Sequence, residues 1–369
     1  MPPAESSRQN QHVKKLVCMG TQNDPSVNSK RWVTGKVGEW LQGVDKDGAP
    51  IVYALAVDSS PFRTLTSVEP AGGLTVLINP DAPADSAKVQ KAIKELASCY
   101  GFVGDCAYRV TISGSPPRGK GLGSSSIDVA SALLAIKDQR GLRIPAPELF
   151  KLMCRVERSD YLFNPELIVA ANPRDGNCSA VARTPECLIL AWDTDPATAV
   201  NTEAVLHLDL ARRSFSDEYH ELSGMIQSGE TDRLLRAATR SAELNDRILP
   251  KTGFSIAHKL VNELQNVGLI AAHTGTILGF VLPEPIDRDL QRYVWNFIID
   301  QYSATPMIFE VGADPARDAL PRVWRGDAQE RIPPRRAETR SSTPKSLSAD
   351  AKPEASLTFL SICRNRSTS

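Results

Sequence analysis

The sequence predicts an α+β protein of two domains, and three observations predict it. Short β-branched or alternating runs crowd the segment before residue 115. Helical spacing dominates from Arg213 onward, interrupted by two apolar runs around a Gly/Thr turn. Between these halves, PPRGKGLGSSS (116–126) joins a strand-like run to a helix-like one. The chain has 369 residues, enough for two cores.

Each element has its own signal. IVYALAV (51–57), RTLTSV (63–68), LTVLI (74–78) and YRVTI (108–112) read as strands, most of them bounded by Gly, Pro or Asp. KVQKAIKELASCYG (88–101) is helical and stops at glycine. A second helix starts in the Gly/Ser stretch, with Ile127, Ala130, Leu133 and Leu134 as its buried stripe. PAPELFKLMCRVERSD (145–160) reads as a third. LILAW (188–192) and AVLHLDL (204–210) read as strands. Helices follow at about 216–229, 231–248 and 254–267, then a hairpin over 268–283, a helix at 287–301 and a strand at 305–311. The polar leader 1–30 and the Pro-, Ser- and charge-rich tail 326–369 hold too little apolar surface to offset ordering entropy. The expected division is 31–212 and 213–325.

Composition narrows the function. Lys plus Arg is 43 and Asp plus Glu is 43, so no global field attracts nucleic acid or an anionic membrane. Seven cysteines, an odd number without C-x-x-C spacing, suit reduced thiols better than disulfides or zinc. No apolar run reaches the roughly 18 residues of a membrane span. The expectation is a cytoplasmic, small-molecule protein, monomer or homodimer.

The stretch 116–126 fails three known patterns. Gly114-x-x-x-x-Gly119-Lys120 continues with Gly121 where a P-loop needs Ser or Thr. Gly119, Gly121 and Gly123 miss the dinucleotide spacing, and G-x-S-x-G is absent. Its chemistry still suits a phosphate. Glycines admit close backbone approach, a helix N-terminus offers unpaired N–H donors, and Lys120 can add a charge. The same residues equally suit a plain turn and cap, with Ser125 and Asp128 at capping-box spacing.

PPRGKGLGSSS resembles the second motif of the GHMP kinases, matching from Pro117 to Ser126. Val33-Thr-Gly-Lys-Val-Gly-Glu-Trp-Leu-Gln-Gly43 resembles the first motif, and Ala272-His-Thr-Gly-Thr-Ile-Leu-Gly279 the third. The Gly-Glu-x-x-Gln-Gly core is similar to the propanediol-utilisation-type L-threonine kinase branch. Thr34 stands where the family has proline, and Val37 where that branch often has cysteine. These departures bear on the substrate more than on the phosphate site.

The resemblance, spanning roughly residues 33 to 312, implies an N-terminal domain like ribosomal protein S5 domain 2 and a ferredoxin-like C-terminal domain. It implies ATP and Mg²⁺, and phosphorylation of an alcohol, L-threonine first, in cobalamin side-chain supply. Homoserine, an isoprenoid alcohol or a sugar are the other acceptors, and an inactive regulator is the non-catalytic reading. The expected ATP site is Pro117, Arg118, Gly119, Lys120, Gly121, Leu122, Gly123, Ser124, Ser125 and Ser126. Helical spacing sets Asp160 on the face of Leu149, Met153 and Val156, where an unused carboxylate is expensive. Asp160 then orients or deprotonates the acceptor hydroxyl, or merely closes the helix or pairs with an arginine; Ser125 and Glu157 bind Mg²⁺. Lys36 assists by its charge or is a solvated lysine. Glu39 and Gln42 lie near the substrate or support the loop. His273, Thr274, Gly275 and Thr276 form a turn that braces the loop, unless His273 is an ordinary strand-end histidine.

Overall fold

The computed structural model describes residues 29–79, 86–200 and 208–312. The expected tail lies outside these residues, as does the leader up to residue 28. Ser29 and Lys30, counted in the leader, instead open the first strand.

The α+β class holds, with strands in two sheets. The smaller contains β1 (Ser29–Val33), β4 (Thr64–Pro70), β6 (Tyr108–Ser113) and β5 (Thr75–Ile78), in that spatial order. Its pairs are antiparallel except β5 on β6. Helix α1 (Ala87–Tyr100) ends at Gly101 with φ 75°, as the glycine predicts. It packs with α2 (Ser124–Gln139) and α3 (Ala146–Cys154) on this sheet. Val68, Ile93, Val110, Ile112, Leu133 and Phe150 form the centre of that core.

The larger sheet runs β12-β9-β11-β10-β2-β3-β7-β8. Its strands are β2 (Lys36–Val44), β3 (Pro50–Ala56), β7 (Leu167–Ala171), β8 (Cys178–Arg183), β9 (Cys187–Asp193), β10 (Gly268–Ala271), β11 (Ile277–Pro283) and β12 (Met307–Val311). The predicted hairpin is β10 against β11, antiparallel. Alternation along β9 sorts the faces. Ile189 and Ala191 enter a core with α5 (Ser216–Gln227) and α6 (Thr231–Ile248), whereas Leu190 and Trp192 enter one with α7 (Phe254–Glu263) and α8 (Arg288–Tyr302). Strands from both sides of residue 212 share this sheet.

Three local expectations are corrected. The helix expected over 145–160 stops at Cys154. Ser159 and Asp160 are poor helix formers, and the Asp160 N–H is taken by the Ser126 hydroxyl at 3.2 Å. The strand expected at 204–210 is helical where described, as α4 (Leu208–Arg212), with Asp209 and Arg212 paired one turn apart; residues 204–207 lie outside the described residues. Strand β2 carries the first motif and was not legible as a strand. Lys, Gly, Glu and Gln interrupt its pattern, yet all nine positions are buried, a case of tertiary context overriding propensity.

Candidate functional site

Strand β6 leads into the glycine loop, and the loop into α2. Gly119, Gly121 and Gly123 have φ of 73°, 87° and 71°, a region L side chains avoid. Gly121 is also sterically required: a Cβ there would lie 2.1 Å from the Ala272 Cβ. A Cβ on Gly275 would lie 2.2 Å from the Lys120 carbonyl carbon. The loop and the 272–276 turn therefore meet backbone to backbone. Thr276 N–H and Ile277 N–H donate to the Lys120 carbonyl at 3.2 and 3.3 Å, and Thr194 donates to the Thr276 carbonyl.

Among the described residues no side chain caps α2. Its first-turn N–H groups keep the partial positive charge of a helix N-terminus. The capping box suggested by Ser125 and Asp128 does not form, because each has a partner elsewhere. The Ser125 hydroxyl donates to the Glu157 carboxylate at 2.7 Å. Asp128 accepts from the Ser115 hydroxyl and from Arg118 at 2.7 Å. Burial still raises its carboxyl above the usual range against those two attractions.

Lys120 departs from its expected place. Its ammonium donates to the carbonyls of Asp195, Pro196 and Thr198 at 2.8, 3.0 and 2.6 Å and pairs with Asp193 at 2.9 Å. It ties the loop to the segment after β9, so its charge is already matched. Pro117 and Arg118 are exposed, while Leu122 is buried in the core beside the larger sheet.

Glu157 and Asp160 reach the start of α2 from a turn rather than from one helix face. Glu157 meets Ser125 and Lys88, the latter at 2.8 Å. Asp160 meets Lys36 at 2.8 Å. Lys36 is not solvated: its side chain is 3% exposed, and it bridges Asp160 and Glu39. Gly123 makes room for it, since a Cβ there would lie 3.2 Å from the Lys36 Cγ.

The chain of contacts continues inward. Glu39 accepts from the His273 N–H at 2.9 Å and from its ring Nδ1 at 3.0 Å. Nδ1 also faces the Ala271 carbonyl at 3.0 Å. Two acceptors at one nitrogen require the proton on Nδ1, which leaves Nε2 to accept from the Ser241 hydroxyl at 2.9 Å. Burial, with Arg212 and Lys251 adding repulsion, holds the imidazole below its usual value despite Glu39. Burial would raise the Glu39 carboxyl, but Lys36 and His273 reverse this and hold it well below the carboxylate range. Burial would lower Lys36, but Asp160 and Glu39 hold it above the usual lysine range. The result is a buried chain, Asp160–Lys36–Glu39–His273–Ser241, with Asp160 at the more accessible end, its side chain 22% exposed.

Gln42 lies buried on β2 opposite Val52, outside this chain of contacts. Thr274 is half-buried at the turn and Thr276 is buried. Two contributors had no sequence signal. Ser241 sits in the middle of an amphipathic helix, and Lys251 follows a proline in a polar loop. Lys251 donates to the Gly275 carbonyl at 2.8 Å, and burial pushes its ammonium down to about 8.

Among the described residues no group of three or more His, Cys, Asp or Glu could hold a metal by itself. Ser125 and Glu157 supply two hard oxygen donors side by side. That fits Mg²⁺, which takes one or two protein ligands and completes its shell with phosphates and water.

Residues 87–163 match the family described as GHMP kinases N terminal domain. That span runs from α1 through the loop to the Glu157–Asp160 turn. Over 180 residues the chain is 27% identical to the L-threonine kinase of Salmonella typhimurium, covering 47% of this chain and 59% of that protein. It is 24% identical over 178 residues to the L-threonine kinase of Citrobacter freundii, covering 47% and 62%. The matched segments thus span about six-tenths of these curated relatives. Among solved structures, Streptococcus pneumoniae phosphomevalonate kinase in complex with phosphomevalonate and AMPPNP superposes with a TM-score of 0.55 at 16% identity, covering 73% of this chain and 96% of that one. Homoserine kinase from Cytophaga hutchinsonii gives 0.56 at 13% identity, covering 79% and 96%. Those similarities are of fold. The family match takes in the loop and its acidic turn, so residues 87–163 are similar to the GHMP kinases N terminal domain, and about half of the chain is similar to L-threonine kinases.

Proposed function

We propose that this protein is an ATP-dependent kinase that phosphorylates a small alcohol, with L-threonine as the acceptor. One observation carries the reading: at the start of a helix entered through three left-handed glycines, the Glu157 carboxylate accepts from Ser125, and the Asp160 main chain is held by Ser126 with its carboxylate on Lys36. Phosphoryl transfer asks chiefly for placement and charge, and each part of the site has a role in that. The N–H groups of Gly121 to Ser126 hold the β- and γ-phosphates against the helix N-terminus. Ser125 and Glu157 would hold Mg²⁺, which neutralises phosphate charge when bound. Asp160 orients the acceptor hydroxyl and takes its proton on a carboxylate oxygen. Lys36 fixes that carboxylate, and Glu39 and His273 fix Lys36. Lys120 acts by anchoring the loop, and the 272–276 turn supports it from below.

Curated similarity to L-threonine kinases supports the acceptor. A small-molecule partner and a cytoplasmic site of action go with it. Among the described residues no helix is long and apolar enough to cross a membrane. The test is ATP consumption with a panel of L-threonine, homoserine, mevalonate and galactose. Turnover with L-threonine above the rest is the expected result. Turnover with another member alone would keep the kinase and change the acceptor. No turnover with any would leave a regulator of the same fold.

A further inference from the structure

Lys88 is the second residue of α1, in a first turn that holds no acidic residue. A cation there opposes the partial positive charge of the helix N-terminus, so the lysine does not serve its own helix. Its ammonium instead crosses to the start of α2 and pairs with Oε2 of Glu157 at 2.8 Å. The Ser125 hydroxyl lies across both oxygens of the same carboxylate, at 2.7 and 2.9 Å. The oxygen pair that suits Mg²⁺ thus carries a cation of the protein's own.

The other lysines around the loop are fixed. Lys120 and Lys36 have side chains 10% and 3% exposed, and each is held by several partners. Arg118 is given to the buried carboxylate of Asp128. Lys88 is different: its side chain is 40% exposed, and Glu157 at 10% is the inner member of the pair. A lysine stem with one end in water swings at little cost. The lysine that the sequence offered to a phosphate, Lys120, is committed to the segment after β9, and Lys88 is the ammonium able to move.

Charge says when it would move. A bare Glu157 carboxylate beside the loop would repel phosphates, and its charge already reaches Asp128 one turn along α2. Either an ammonium or a divalent metal neutralises it. The two repel each other when both sit on one carboxylate, so metal and Lys88 compete for Glu157. Metal alone must drive the ammonium from a charge-assisted bond into water. With a triphosphate on the loop, the displaced ammonium finds phosphate oxygens instead. Metal and nucleotide then favour each other through one side chain, and linkage makes that coupling reciprocal.

We infer that Lys88 is an exchange cation, which holds Glu157 against a divalent metal arriving alone and passes to the nucleotide phosphates when the metal takes that carboxylate. The site thereby admits metal together with nucleotide. The inference rests on the reading of Ser125 and Glu157 as the metal pair.

The experiment reads binding without turnover. Mn²⁺ stands in for Mg²⁺, since both take oxygen ligands, and its free fraction is followed by electron paramagnetic resonance as it is titrated into nucleotide-free protein. In Lys88→Met the Mn²⁺ dissociation constant should fall on the order of tenfold, the weight of one charge-assisted bond. AMPPNP binding in EDTA, read by calorimetry, should weaken by a similar factor. Lys88→Arg keeps the charge and should bring both constants back toward wild type. Opposite shifts are the signature, because a merely structural loss would weaken both. Mn²⁺ binding that is absent, unchanged or weaker in Lys88→Met overturns the exchange. Glu157→Gln, titrated with Mn²⁺ in the presence of AMPPNP, tells that failure apart from a failure of the metal reading. Weaker Mn²⁺ retention there keeps Glu157 as the ligand and confines the failure to Lys88. Retention equal to wild type removes the metal pair and the exchange with it.

Discussion

The glycine loop and the contact chain behind Lys36 flank the same helix start but are made of different material. In the loop the working atoms belong to the main chain, and the side chains are mostly hydrogen or serine. In the contact chain the working atoms are side chains that carry charge out of reach of water, from Glu39 at 1% exposure to Asp160 at 22%. A main-chain site is insensitive to side-chain change except where a Cβ would collide, as at Gly121 and Gly275. A chain of buried charges is sensitive everywhere, because removing one member strands the next.

The sharpest test of this contrast is Asp160→Asn. It keeps shape and removes the charge at the chain's accessible end. Turnover should fall on the order of 10²- to 10⁴-fold, toward the lower figure if the transition state is loose. The KM for ATP should hardly move. Steady-state kinetics with L-threonine and titrated ATP reads both, and near-wild-type turnover would shift the role to Glu157.

Next in size is Glu39→Gln, which leaves Lys36 and His273 facing a neutral amide. Urea unfolding should show a loss of about 3 kcal/mol, the lower end for breaking a buried pair, since Asp160 still pairs Lys36. The sign of the pH effect follows from Glu39 being held below the carboxylate range. Its contribution is whole above its unfolded value of about 4.3 and is lost as pH falls. Glu39→Gln should therefore show a flatter stability profile than wild type below about pH 4. Parallel profiles would mean that Glu39 contributes nothing through its charge.

Lys251 gives a slope of the same sign in an alkaline window. Its folded value of about 8 lies below the 10.5 of a free lysine. Below about 8 both states hold the proton and the full burial cost is present. Above it the folded state releases its proton first, so stability rises toward pH 10.5. The rise should total roughly 3 kcal/mol, measured as wild type minus Lys251→Met across that range. A flat difference would show that the ammonium is solvated.

The smallest expected effect is Ser125→Ala, on the loop side. Removing the hydroxyl beside Glu157 should cost about 1 kcal/mol of stability and raise the KM for ATP roughly tenfold. Thermal melting and ATP titration read the two. A loss as large as that of Glu39→Gln would erase the distinction between the two regions.

The same contrast explains what could be read in the sequence. The loop was legible because its constraints are spelled locally, as glycines where φ must be positive and serines where a helix begins. The hairpin of β10 and β11 was legible because alternating apolar runs flank one short turn. The contact chain was not. Its link from Glu39 to His273 joins residues 234 apart, and no local pattern distinguishes a buried Lys36 from a solvated one. Ser241 and Lys251 were missed because each lies in ordinary sequence and gains meaning only from what packs against it. Asp160 was found for a partly mistaken reason. Helical spacing set it on a buried face, whereas a turn and the Ser126 hydroxyl bring it to the site.

The meeting of the loop with the 272–276 turn has a consequence for biosynthesis. The Lys120 carbonyl is paired by the N–H groups of Thr276 and Ile277, and β2 completes its place in the large sheet only when β10 arrives beside it. A ribosome that has just released residue 126 must add about 150 more before those partners exist. At ordinary elongation speeds that takes on the order of ten seconds. During that interval the nascent chain holds a finished glycine sequence with no floor beneath it. The glycine loop is spelled early and set late, and a chain that stops short of residue 277 lacks the support on which the proposed nucleotide site rests.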